Sequence, residues 1–171
     1  MIQTERLILR PPTLDHIEPL MAVFGDAEAV KYLGDGCPRT TEQVTASFAK
    51  RARCLNDHNV TLWTVSLKDP APGQHPIIGD CGLLPVNWEG PEFELAYRYR
   101  RDSWGNGYAT EAARAAMEHA WGATTLDRVI GVTYPENTAS IRVLTNAGFT
   151  HQGLTDAYYG KALELFVCPR G

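Results

Sequence analysis

The chain has 171 residues, 44% of them hydrophobic and 9% aromatic, which suits one globular domain, residues 1–171, with a sizeable core. A net charge of -4 without a long run of Lys and Arg gives no electrostatic footprint for a phosphate backbone, so nucleic acid is not an expected partner. No stretch approaches the roughly 20 apolar residues that cross a bilayer, and Glu5, Arg6 and Arg10 interrupt the N-terminus where a secretory signal would be apolar; no membrane contact and a cytoplasmic location are expected.

In chain order, "RLILR" reads as a strand, and "TLDHIEPLMAVFGD" carries Leu14, Ile17, Leu20, Met21 and Phe24 at helical spacing, with Pro19 expected to kink or divide it. "KYLGDGCPRT" is a Gly and Pro rich turn region, and a second helix is predicted from Thr41 to about Asn56, capped by Thr41 and striped by Val44, Phe48, Ala52 and Leu55. Strands follow at Val60 to Leu67, Ile77 to Leu84 and Phe93 to Tyr99. Their connections are too short for parallel crossovers, which favours an antiparallel meander. The second half reads as a helix from about Gly107 to Trp121, a strand from Arg128 to Tyr134, a helix from Asn137 to Ala147 ended by Gly148, and strands near Phe149 to Leu154 and Leu163 to Val167. The class is α+β: a mostly antiparallel sheet with helices on its faces and one parallel pair around the Gly107 helix.

"RDSWGNGYATE" puts two glycines one residue apart where that helix begins. Ala109, Ala112, Ala113, Ala116, Met117, Ala120 and Trp121 form its buried stripe, so it can lie close to the sheet. The first amides of a helix have no internal acceptor, and Gly105 and Gly107 carry no side chain to keep a ligand from them; a phosphate or pyrophosphate oxygen fits there. The other reading is a tight turn that uses glycine only for its φ angles. A P-loop would need Lys and then Ser or Thr after its last glycine, where this chain has Tyr108 and Ala109. A dinucleotide fingerprint would want Gly or Ala where Thr110 stands.

"WGNGYATEAARAAMEHAW" and "LDRVIGVTYPENTASIRVLTNAGF" resemble the acyl-CoA-binding half of the GNAT N-acetyltransferases, and "TERLILRPPTLDH" resembles the opening of their RimJ/RimL-type branch. The family's Q/R-x-x-G-x-G/A pattern falls on Trp104 to Ala109; Gly107 and Ala109 match, whereas Trp104 stands where the wider family has Gln or Arg. The resemblance implies a GNAT fold of about six or seven strands, with a splayed central parallel pair and about four helices. It implies acetyl-CoA as cosubstrate and no metal. The pyrophosphate would rest on the amides of Gly105, Asn106, Gly107, Tyr108, Ala109 and Thr110, beside Trp104. The pantetheine arm would lie between the strand carrying Tyr97 and Tyr99 and the strand of Val129 to Thr133.

Acetyl transfer to nitrogen needs a neutral amine, and a lysine-type ammonium with pKa about 10.4 is almost wholly protonated at pH 7. In "EFELAYRY" the residues Phe93, Leu95, Tyr97 and Tyr99 alternate onto one face and Glu94, Ala96 and Arg98 onto the other, which makes Glu94 the candidate base, set against a merely solvated glutamate. Glu92 and Glu89 are alternatives nearby. Asn137 can cap the helix that follows it, and Ser140, before Val143 and Leu144, lies on that helix's buried side. In the resembled branch the matching Asn contacts the cofactor arm and the matching Ser assists the departing thiolate. Tyr158 and Tyr159 are alternative proton donors or packing aromatics, and Arg142 reads as solvated.

The four cysteines, Cys37, Cys54, Cys81 and Cys168, and the five histidines have no metal-site or nucleophile spacing. The expected function is acetyl-CoA-dependent N-acetyl transfer to a primary amine, a peptide N-terminus or small amine, by a monomer or homodimer. The acceptor pocket would include Tyr32, Asp35, Trp88 and Tyr158, with Asp35, Glu89 and Asp156 favouring a cationic amine. A non-catalytic acyl-CoA-binding regulatory module is the alternative, and a nucleotide-binding oxidoreductase a second.

Overall fold

The structure, a computed structural model, describes residues 1–171. Eight strands form one sheet: β1 (Ile2–Gln3), β2 (Leu7–Arg10), β3 (Leu62–Leu67), β4 (Ile77–Pro85), β5 (Phe93–Tyr99), β6 (Arg128–Thr133), β7 (Thr150–Thr155) and β8 (Leu163–Pro169). Their order across the sheet is β1-β2-β3-β4-β5-β6-β8-β7. Every pair is antiparallel except β5 and β6, which the helix between them makes parallel. The strand beyond the expected seven is β1, whose two residues are too short to show a periodicity.

Five helices flank the sheet: α1 (Ile17–Phe24), α2 (Ala27–Val30), α3 (Thr41–His58), α4 (Tyr108–Ala123) and α5 (Thr138–Asn146). The single turn α2, which falls between the first helical pattern and the Gly and Pro rich turn region, is the fifth; Asp26 caps it by accepting from the amides of Glu28 and Ala29. Pro19 does not kink α1. It stands third in the helix, where its missing N–H has no intrahelical acceptor to lose, and the division falls earlier, at a short 3-10 turn over Leu14–His16.

The cap of α3 is Thr40, not Thr41: its hydroxyl accepts from the amide of Gln43, whose side chain accepts from the Thr40 amide in return. The buried stripe of α3 is Val44, Phe48, Arg51 and Cys54, while Ala52 is exposed. Arg51 is in the core because Asp80 of β4 meets it there at 2.9 Å. Asp80 also accepts from Arg98 Nε at 2.7 Å, so two guanidiniums share one wholly buried carboxylate.

The sheet has two covered faces. Ala112, Ala113, Ala116, Met117 and Ala120 let α4 lie against β4 and β5, packed with Leu83, Leu95 and Tyr99. On the other side α1 and α3 pack Leu20, Val23, Phe24, Val44 and Phe48 against Ile77. Gly131 permits the close approach of α5 to β6: a Cβ there would stand 2.4 Å from Leu144 Cδ2. These two layers leave the central parallel pair between them.

Candidate active site

β5 ends at Tyr99 and the chain reaches α4 through the glycine turn. Gly105 and Gly107 hold φ of +76° and +78°, a conformation that costs residues with a Cβ but not glycine. The Glu111 amide donates to the Gly107 carbonyl at 3.1 Å, whereas no protein acceptor takes the amides from Gly105 through Thr110. A Cβ on Gly105 would meet nothing within 4 Å, and one on Gly107 only Arg6 Nη2 at 3.5 Å. Unpaired amides, an open approach and the positive end of a 16-residue helix together suit an anion such as a pyrophosphate.

The side chains of the turn brace it. The Trp104 indole N–H donates to the Tyr99 carbonyl at 2.9 Å, which fixes the turn to the end of β5 and occupies the donor that a ligand could have used. Asn106 Nδ2 donates to the carbonyls of Ser103 and Trp104. Arg6, which sequence reasoning missed, donates to the Asn106 carbonyl at 2.9 Å, lies 4.7 Å from the Tyr108 ring centroid and pairs with Glu111 at 2.7 Å. Ala109 and Thr110 are half-buried in the first turn of α4.

The parallel strands β5 and β6 are in register at one pair, Glu94 opposite Ile130. Beyond it they part, leaving an opening that runs from Glu94 toward the glycine turn, roughly 16 Å of strand away. On the α5 side of this opening the Tyr97 hydroxyl lies 2.8 Å from Ser140 Oγ and 3.1 Å from the Ser140 carbonyl. Asn137 caps α5 by accepting from the Ser140 amide at 3.2 Å. Burial pushes the Tyr97 phenol upward, with the Ser140 contact acting against it. Tyr99 differs from the expectation: its side chain is buried beneath α4, so only its carbonyl, already taken by Trp104, borders the site.

On the opposite face stands Glu94. Tyr159 donates to its Oε1 at 2.5 Å, and Oε2 has no protein partner. Burial raises the Glu94 carboxyl above its ordinary range, while the Tyr159 bond and the Arg98 charge pull it back. Tyr159 holds a φ of +56°, unusual for a bulky side chain, and its phenol is pushed upward by burial and by the Glu94 charge. Tyr158 donates to Glu92 Oε2 at 3.0 Å, and Glu92 also pairs with Arg128.

Residues 6–150 match the family model described as an acetyltransferase (GNAT) domain. The chain belongs to the GNAT acetyltransferase family. It is 27% identical over 170 residues to the uncharacterized N-acetyltransferase p20 of Bacillus licheniformis, covering 97% of this chain and 93% of that protein. In fold it is similar to a GNAT-family acetyltransferase from Bacillus anthracis, with a TM-score of 0.80, 21% identity and coverage of 99% and 98% of the two chains. RimL, the ribosomal L7/L12 α-N-protein acetyltransferase, solved with coenzyme A, aligns with a TM-score of 0.77 at 15% identity over 97% of this chain and 95% of its own. The aminoglycoside acetyltransferase AAC(6')-Ib, solved with ribostamycin and coenzyme A, aligns with a TM-score of 0.77 at 19% identity over 97% and 94%. Membership in an acetyltransferase family sets aside the oxidoreductase alternative.

In this acetyltransferase the residues expected around the acceptor divide. Tyr32 is brought to Tyr134, ring centroids 5.6 Å apart, and Lys161 donates to the Tyr134 hydroxyl at 2.6 Å and to the Gly34 carbonyl. The Tyr158 side chain turns to Glu92, and only its carbonyl accepts from the Lys161 amide. Asp35 accepts from the Cys37 amide and pairs with Arg39 at 2.9 Å, so its charge is spent within its own loop. The Trp88 ring centroid lies 5.8 Å from Lys50 Nζ, and Trp88 lines a hollow of about 260 Å³ with Arg53, Asp57 and Glu89. Tyr134 and Lys161 were missed, because they meet only when β6 and the β7–β8 loop fold together.

Proposed function

We propose that this chain transfers an acetyl group from acetyl-CoA directly to a primary amine, as a RimJ/RimL-type member of its family and with residues 1–171 acting as one catalytic domain. The observation that carries the reading is the opening between β5 and β6, which has a half-buried carboxylate at its closed end and unpaired helix amides at its mouth. The relatives solved with coenzyme A support the choice of cosubstrate.

The amides of Gly105 to Thr110 fit a pyrophosphate and would hold it, with Arg6 bracing the turn from behind. Asn137 and the exposed edges of β5 and β6 would border the pantetheine arm. When bound, acetyl-CoA supplies an activated acetyl thioester. Glu94 accepts the proton of the incoming ammonium on Oε2, directly or through water, while Tyr159 fixes Oε1. The linked hydroxyls of Ser140 and Tyr97 stand on the other face as the proton source for the leaving thiolate. No covalent enzyme intermediate is required.

Thiol release from acetyl-CoA, followed against peptide N-termini and small amines, tests the proposal. Amine-dependent release that falls sharply in Glu94→Gln supports it. Acetyl-CoA binding without release across the panel would instead favour the non-catalytic acyl-CoA-binding module.

A further inference from the structure

The acceptor face of the opening holds a cation that no acid neutralises. Lys161 is half-buried, and its ammonium uses two of its three donors on neutral oxygens, the Gly34 carbonyl and the Tyr134 hydroxyl. No carboxylate lies within 4 Å of it. The acids around it are engaged elsewhere or unpaired with it: Asp35 binds Arg39, Glu92 binds Arg128 and Tyr158, Glu94 binds Tyr159, and Glu136 and Asp156 are exposed. Lys31 adds a second unpaired cation, 5.5 Å from the centroid of the Tyr32 ring that contacts Tyr134. Two tyrosine rings and two lysines without an ion-pair partner therefore stand together on this face.

Tyr134 stands four residues beyond Ile130, the partner of Glu94, which is roughly 13 Å along an extended strand. Resting on the acetyl-transfer reading, we infer that the acceptor is an amine that carries a carboxylate several bonds away: the amine meets Glu94 and the carboxylate takes the third donor of Lys161. A polycationic acceptor would face Lys31 and Lys161 with like charge.

The test compares matched acceptors that differ in the acid alone: ε-aminocaproate against hexylamine, and triglycine against triglycinamide. The acid member is expected to have about tenfold higher kcat/KM, the size of one charge-assisted contact. Lys161→Gln should erase that preference, raising KM for the acid member of each pair to that of its neutral partner, and Lys161→Arg should retain it. Equal kcat/KM within both pairs, or a preference that survives Lys161→Gln, overturns the inference. If no amine of either kind is acetylated although acetyl-CoA binds, acetyl transfer itself fails as a reading. Calorimetric binding of ε-aminocaproate against hexylamine to the CoA-loaded protein then decides the anion site by the same criterion.

Discussion

The Tyr159 hydroxyl donates to Glu94 Oε1 at 2.5 Å and leaves Oε2 without a protein partner. This bond stabilises the carboxylate against the burial that raises its pKa. Tyr159→Phe removes it, so the Glu94 pKa rises further and the acid limb of the kcat/KM profile moves to higher pH. A loss of three- to tenfold is expected on that limb, shrinking toward none on the alkaline side. A wild-type pH profile in Tyr159→Phe would separate the tyrosine from the base.

Gly107 combines a φ of +78° with an approach that a side chain would enter. Gly107→Val should weaken acetyl-CoA binding by more than tenfold, through about 1–2 kcal/mol of backbone strain and displacement of the amides. Calorimetry on a variant with an unchanged circular dichroism spectrum measures it. Gly122, inside α4 with nothing near its Cβ, serves as the control: Gly122→Ala should leave binding unaffected.

Glu111 ties the N-terminal segment to α4 by accepting from Thr4 Oγ1, the Arg6 amide and Arg6 Nε. Burial pushes its carboxyl up, but those bonds and the Arg6 charge prevail and hold it below the ordinary value. A depressed carboxylate contributes its stability in full above the unfolded-state pKa and loses it as pH falls through the folded one. Glu111→Gln should therefore cost about 1 kcal/mol at neutral pH, since Arg6 is half open to water. In urea titrations the gap from wild type should close in acid.

Asp80 is the one carboxylate between Arg51 and Arg98, all three drawn out of water. Asp80→Ala leaves two guanidiniums in the core without a counter-charge, for an expected loss of about 3–5 kcal/mol in chemical unfolding. Adding Arg51→Met should recover part of it.

Much of the site's frame is legible in the sequence because it is periodic and local. The alternation in "FELAYRY" matches the bounds of β5 and puts Tyr97 and Glu94 on opposite faces. The small residues of α4 and the Asn137 cap of α5 follow from helical spacing and capping chemistry. What escapes is long-range or counter to type. Arg51 looks like a solvent-facing residue until Asp80 is brought beneath it, and Lys161 meets Gly34 across 127 positions of chain. Arg6 reads as a charge that interrupts a signal segment, yet its role depends on an acid 105 residues away. Nor do the loops around Asp35 and Trp88 reveal, as sequence, that Arg39 pairs with the one and Lys50 lies over the ring of the other.

Acetyl-CoA turnover by Glu94→Gln, measured beside its acetyl-CoA affinity, bears most directly on the assignment of Glu94 as the base. At least a hundredfold loss of kcat is expected, deepest at low pH where fewer amines are neutral, with the dissociation constant unchanged. Wild-type kcat in that variant, or a loss of acetyl-CoA binding with normal turnover at saturation, would contradict it.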